Sequence, residues 1–341
     1  MLDLTHSSNT AGPQRFVPFG LRCLLLLLLV VGGTAEARLG PDYYPNVTLY
    51  NQDGKPLRFY DDMIKGKVVA INFMYTSCGD SCPLETAKLR QVHRLLGKHA
   101  GKDVFMYSIT VDPENDTPEV LKAYKKKFNI GPDWQFLTGK IEDIDFIRKK
   151  LGMYRDDETA VDEHAVNFVL GNEHKGVWLK RTPFDVPEAL VVALLGRMQN
   201  RSLLAHMAKP DYTRAHVVAD APVGQELFTG RCVACHTIGK GHGLGPDLLG
   251  VTKRRDRAWL VRWIKEPDAM LKAKDPIATA LYEQYNELAM PNIRLKEQEV
   301  KDLLEYIEKE SNRQQKLARN QGPFRMEQGG PFRAEQGGPF R

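Results

Sequence analysis

The chain has 341 residues, 42% of them hydrophobic and 27% charged, with a formal net charge of +5. That balance is ordinary for globular protein and long enough for about two domains of roughly 150 residues each, which excludes a membrane bundle, a collagen-like rod and a wholly disordered chain. Residues 312–341 hold six Lys or Arg against two Glu, so the rest is close to neutral and lacks the basic face that nucleic-acid binding requires.

In chain order, Arg15 and Arg22 come first and are followed by the apolar run Cys23 to Val31. Ala35-Glu36-Ala37 then supplies an A-x-A cleavage pattern. This order predicts a secretory signal peptide over 1–37. The apolar run is shorter than the roughly 20 residues that a bilayer-spanning helix takes. An uncleaved signal anchor is the alternative, and either way the working part is expected outside the cytoplasm, in the periplasm. Removal of the signal takes Cys23 with it. Two close pairs remain, Cys78 with Cys82 and Cys232 with Cys235, which is not the layout of a disulfide framework.

Residues 38–195 alternate strand and helix. Val68 to Tyr75 is a near-continuous apolar run, the pattern of a central strand buried on both faces. Leu89, Val92 and Leu96 follow at helical spacing, and Val104 to Val111 reads as a second strand. Thr117 caps a helix with Pro118 at its first position, and Val120, Leu121, Tyr124 and Phe128 form its apolar stripe. A short strand at 135–138, a helix over 142–151, a hairpin from 165–170 and 177–180, and a helix over 187–195 complete an α/β sheet with helices on both faces. Residues 196–223 read as a linker. Residues 224–311 are helical throughout: Trp259, Leu260, Trp263 and Ile264 form one apolar stripe, and Val300, Leu303, Leu304 and Ile307 another. Residues 312–341, with EQGGPFR at 327–333 and again at 335–341, have the composition of a disordered basic tail. Such a tail is either simply solvated or a tether to an anionic surface.

Cys232 to His236 reads CVACH, a C-x-x-C-H motif in which two thiols bond the haem vinyls and the adjacent His ligates iron. A zinc site would need two further ligands, and a dithiol redox pair would need a strand-to-helix setting that this helical segment lacks. The second axial ligand is sought among His242, Met270 and Met290. His242 is only six residues past His236, whereas Met290, just before the last helix, can reach the opposite haem face; Met270 is its rival. With GLGPDLLGV at 243–251, WLVRWIKEPDAM at 259–270 and MPN at 290–292, the segment resembles class I c-type cytochromes. The resemblance implies a small all-α fold, covalent haem c, His/Met ligation and one-electron transfer.

Cys78 and Cys82 stand in YTSCGDSCP, between the buried strand and a helix, at the sheet edge where α/β sites lie. A helix N-terminus lowers thiol pKa, so both are expected to be reactive thiolates. Their three-residue separation suits chelation of one soft ion at least as well as a redox switch; thiolates select Cu(I), zinc or iron–sulfur, and zinc would want four ligands where this domain offers no other Cys. A structural disulfide is the bland alternative. His164, at the mouth of a predicted strand, is placed to face the thiols; His174 is expected to be solvated in a turn, and His93 and His99 to point away along the first helix. FMYTSCGDSCP at 73–83, SITVDPENDTPEVLKAYKKKF at 108–128 and the strand-leading His164 together resemble the Sco/SenC proteins. Those are thioredoxin-like copper chaperones of cytochrome c oxidase assembly. The resemblance implies copper bound by Cys78, Cys82 and His164, and delivery to the oxidase's dinuclear copper site. Gly79 stands where that family often has Pro, and Glu163 separates Asp162 from His164 where Asp-His is common.

The whole therefore reads as an α/β thioredoxin-like domain followed by an all-α cytochrome c domain, with copper and haem c as cofactors. Its expected partner is the copper-site subunit of cytochrome c oxidase, with other periplasmic redox proteins possible. Membrane contact would come through an uncleaved signal or the basic tail. The haem's one-electron couple matches copper better than it matches a dithiol, which suggests that the haem domain sets the oxidation state of bound copper. Two other readings stay open: a thiol–disulfide oxidoreductase acting on oxidase cysteines, and an electron-shuttle cytochrome docked by its Sco-like part. Asp112 and Asp116 read as turn and capping residues, and the sequons at Asn46 and Asn200 are frequent by chance.

Overall fold

The computed structural model describes residues 40–78, 81–154, 168–182, 185–198 and 221–320. Seven strands among them form one mixed sheet: β1 (Thr48–Asn51), β2 (Pro56–Arg58), β3 (Val68–Met74), β4 (Val104–Thr110), β5 (Trp134–Thr138), β6 (Phe168–Asn172) and β7 (Val177–Arg181). The spatial order is β2-β1-β5-β4-β3-β6-β7. The central three strands run parallel, and the outer strands pair antiparallel on either side.

Every residue of β3 is buried because the sheet is covered twice. Val68, Ala70 and Met74 enter one apolar layer with α1 (Ser81–Leu96), α2 (Pro118–Lys127) and α4 (Pro187–Val192). Val69, Ile71 and Phe73 enter the opposite layer with the helical turn Phe59–Ile64 and α3 (Ile141–Lys150). Successive side chains of a strand point to opposite faces, so a strand roofed on both sides reads as an unbroken apolar run. The predicted helices and hairpin are present with shifted ends; α4 continues as a wider helical turn to Met198.

Thr117 caps α2 by accepting a hydrogen bond from the Val120 amide, with Pro118 at the first position. Its buried line is Leu121, Tyr124 and Phe128, while Val120 is 37% exposed and does not belong to the predicted stripe. The sheet contact centres on Leu121 and Tyr124, and Val120 sits a full 100° step off Leu121 toward solvent.

The second helical array comprises α5 (Val223–Leu227), α6 (Val251–Arg254), α7 (Arg257–Lys265), α8 (Pro267–Lys272), α9 (Pro276–Gln284) and α10 (Glu297–Asn320). A wider turn carries α5 on to Cys232. The first and last helices cross at Gly224, where an added Cβ would sit 2.0 Å from the Asp302 carbonyl oxygen; only glycine permits that approach. Val300, Leu303, Leu304 and Ile307 are the buried line of α10, as their spacing predicts. Residues 312–320, predicted as the start of a disordered tail, are instead helical. The Ser311 hydroxyl accepts from the Gly250 amide and Lys253 donates to Asn312, so α10 keeps a partner beyond its apolar stripe. The signal segment, residues 199–220 of the linker and the EQGGPFR repeats lie outside the described residues. No helix among the described residues is long and apolar enough to cross a membrane.

Candidate thiol and haem sites

Parallel β3 and β4 end at the same edge of the sheet, and the chain leaving β3 runs through Tyr75 and Thr76 to Cys78 before α1 begins. Cys82 is the second residue of α1. Both cysteines are buried and neither is in a disulfide. The Cys82 amide donates to the Cys78 sulfur at 3.5 Å, and the two thiols share a hydrogen bond. That bond and burial push the Cys82 thiol far above the usual range. The expectation of two reactive thiolates therefore fails at Cys82, where a shared proton and burial outweigh the helix N-terminus. A metal that binds the pair must displace this proton.

Two polar features around the thiols escaped the sequence reading. Glu85 lies three residues after Cys82 on the face that also carries Leu89 and Val92, and it is fully buried. Among the described residues neither carboxyl oxygen makes a hydrogen bond of ordinary length, and burial lifts the Glu85 pKa to about 8, an effect that the nearby Asn72 amide offsets only in part. The helical spacing 82, 85, 89, 92 was the available signal, since it assigns Glu85 to the core. Beside it, the Trp134 indole donates to Ser108 Oγ at 3.0 Å and Ser108 donates to Asn72 Oδ1 at 2.6 Å. Asp116 is the second feature. Asp112 does organise a turn, accepting from the Asn115 side chain at 2.9 Å, but Asp116 is not a cap. It is fully buried and takes hydrogen bonds from the Thr76 amide and hydroxyl and from Thr110 Oγ1.

His164 lies outside the described residues. Among the described residues, no group of three or more His, Cys, Asp or Glu is assembled to hold a metal. His174 is exposed on the turn between β6 and β7, and His99 pairs with Asp103 at 2.5 Å. His93, in α1, has its ring 6.1 Å from that of Trp134, and burial pushes its pKa down.

At the end of the α5 extension the chain turns so that the His236 amide donates to the Cys232 carbonyl at 2.9 Å. His236 Nδ1 pairs with the Pro246 carbonyl at 2.9 Å, and an added Cβ at Gly245 would lie 2.6 Å from the ring. An imidazole that donates through Nδ1 keeps the Nε2 lone pair for a metal, and burial lowers the His236 pKa, which keeps the ring neutral. Burial also pushes the Cys232 and Cys235 thiols up to about 12. His236, Trp263, Leu281 and Met290 all border two apolar lobes. This donor set and cleft fit a flat apolar macrocycle anchored by two thiols and one imidazole. Met270 is fully buried and borders neither lobe, and His242 instead pairs with the Tyr285 hydroxyl at 2.6 Å.

Where the sequence left contact between the two parts open, the structure joins them. The lobe that Cys235 borders is walled on one side by Pro83 and Phe128 of the sheet domain. The Gln91 side chain donates to the Val233 carbonyl at 3.1 Å, and Ala234 and Leu244 share the apolar layer that holds Cys78 and Cys82.

A paired thiol on a thioredoxin-like sheet, in one chain with a C-x-x-C-H turn on an apolar cleft, belongs to the class of fused thioredoxin-like and c-type cytochrome proteins. Residues 35–197 match the SCO1/SenC family and residues 222–311 match cytochrome c. A SCO2-like protein of Rickettsia felis is 30% identical over 166 residues, covering 46% of this chain and 77% of that one. The SCO1 protein homolog of Bacillus subtilis is 39% identical over 93 residues, covering 27% of this chain and 47% of its own. The solved cytochrome c domain of a Pseudomonas putida protein is 53% identical and covers 29% of this chain and 97% of its own, with a TM-score of 0.27. The chain belongs to the SCO1/SenC family and carries a cytochrome c domain after it.

Proposed function

We propose that the chain is an exported, periplasmic carrier that delivers copper to the copper-site subunit of cytochrome c oxidase during its assembly. Cys78, Cys82 and His164 hold the copper. Cys232 and Cys235 would hold the haem through their thiols, and His236 and Met290, which border the same cleft, would hold its iron. The observation that carries this reading is the placement of the thiol pair: two soft sulfurs within hydrogen-bond range, with Pro83, the next residue, on the wall of the cleft that His236 borders. Two thiolates at that separation suit Cu(I). Haem, when bound, supplies a one-electron couple, which matches Cu(II)/Cu(I) and not a two-electron dithiol. A haem held there would be able to exchange one electron with copper at the thiol pair, Cu(II) being reduced to Cu(I) as the haem iron is oxidised from Fe(II) to Fe(III). Gln91 and the shared apolar layer keep the two parts in register.

The test is the copper content of the reduced, haem-loaded protein beside Cys78→Ser and His164→Ala. About one copper per chain, lost in the first variant and held more weakly in the second, supports the reading. No retained copper overturns it and leaves the thiols to disulfide exchange with oxidase cysteines. Adding Cu(II) to the reduced holoprotein should change the haem spectrum in stopped flow; an unchanged spectrum would remove the coupling between the two parts.

A further inference from the structure

The limb of chain that carries Cys78 is held from outside its own loop. The Val111 amide donates to the Met74 carbonyl at 2.9 Å, and two residues further on Thr76 meets Asp116. The Thr76 amide donates to Asp116 Oδ2 at 3.0 Å, the Thr76 hydroxyl donates to Oδ1, and Thr110 Oγ1 donates to Oδ2 at 2.6 Å. Asp116 is itself tied down on both sides. Its amide donates to the Asp112 carbonyl at 2.9 Å, and the next residue, Thr117, starts α2. The carboxylate is fully buried. Burying a charge is costly unless its lone pairs are all used, and here three donors converge on two oxygens. An amide side chain has a single acceptor oxygen and could not serve donors on both sides. The chemistry of the position therefore calls for a carboxylate, and its donors connect the end of β4 to the residue that leads into Cys78.

From this geometry we infer that Asp116 is a positioning residue for the copper ligands, holding the Thr76–Cys78 limb so that the Cys78 sulfur stays opposite Cys82 whether or not copper is bound. The inference rests on copper being the cargo of the thiol pair. It goes beyond the ligand set, because Asp116 acts through its hydrogen bonds to Thr76. The second limb of the pair, at Cys82, is anchored separately by α1. Loosening the first limb alone should change the separation of the sulfurs without unfolding the sheet.

The experiment compares the haem-loaded full chain with Asp116→Asn, Thr76→Val and Thr76→Ser. Copper(I) affinity is read by competition with a chromophoric chelator, and the ligand geometry by the thiolate-to-Cu(II) charge-transfer absorption. The alkylation rate of Cys78 and Cys82 by iodoacetamide is read on the metal-free chain. Asp116→Asn should weaken copper by about tenfold, the lower end of the effect of removing a group that orients a metal ligand, and should shift the charge-transfer band. Thr76→Val should move both readouts the same way by a smaller factor, and Thr76→Ser, which keeps the hydroxyl, should restore them. Far-UV dichroism and the haem spectrum should stay as in the unmodified chain. If Asp116→Asn does not fold, Thr76→Val against Thr76→Ser decides. Wild-type affinity, band and alkylation rate in the folded variants overturn the inference. If the unmodified chain holds no copper, the copper reading itself has failed, and the alkylation rates alone still report whether Asp116 holds the Cys78 limb.

Discussion

Replacing Glu85 with Gln exchanges a proton-binding carboxyl for an amide of the same shape, in the core one turn below Cys82. Folded, Glu85 keeps its proton up to about pH 8, against an ordinary value of 4.5 for the unfolded chain, because burial disfavours the charge. Below about pH 4.5 both states are protonated and the group has no effect on stability. Between the two values the folded state holds one proton more, so stability falls as pH rises, by about 1.4 kcal/mol per pH unit. Above about pH 8 both states are ionised and the loss stops growing. Raising the pH from about 5 to about 7.5 should therefore cost the unmodified chain about 3 kcal/mol through this residue. At a urea dependence of about 1–3 kcal/mol per M, that is a midpoint shift of about 1–3 M. The introduced amide adds a buried donor whose cost is the same at both pH values, so the diagnostic quantity is the difference between them. Urea unfolding followed by far-UV dichroism reads the sheet domain, and haem absorbance separates out the cytochrome domain. If Glu85→Gln keeps the full pH-dependent shift of the unmodified chain, the assignment of that slope to Glu85 is wrong.

Gly224→Ala gains about 1 kcal/mol of helix propensity but drives a methyl to 2.0 Å from the Asp302 carbonyl, so a net loss of about 1–3 kcal/mol is expected in haem-monitored urea unfolding. An unchanged or raised midpoint would refute close crossing at that glycine. The two methionines should separate by kind of effect. Met290→Ala should alter the haem absorption spectrum and raise or lower its potential, whereas Met270→Ala should leave the spectrum alone and cost about 2–5 kcal/mol of stability. The reverse pattern would make Met270 the axial ligand.

Local pattern carried much of what could be read before the structure. The β3 run, the Thr117–Pro118 helix start and the α10 stripe are set by neighbours within one turn or one pleat, so spacing alone reveals them. The same holds for the C-x-x-C-H turn and for a cysteine pair straddling a strand end and a helix start. Where pattern misled, a contact from elsewhere in the chain intervened. Val120 faces solvent because the sheet meets α2 along Leu121 and Tyr124. Residues 312–320 continue α10 past Ser311 and Asn312, which meet Gly250 and Lys253, a contact that a compositional reading of the tail does not see.

What the sequence by itself determined is the inventory: two domains, the soft-sulfur pair, the C-x-x-C-H turn and the order of strands and helices. Each follows from short-range geometry and from the chemistry of side chains a few residues apart. The tertiary structure alone decided that Asp116, 40 residues from Thr76, is a buried strut and not a cap. It also decided that Cys82 keeps its proton, that Glu85 is sealed in the core, and that Pro83 and Phe128 wall the cleft of the other domain. These properties depend on burial and on distances between segments remote in the chain. Strand pairing and domain contact set those distances, and no local spacing encodes them.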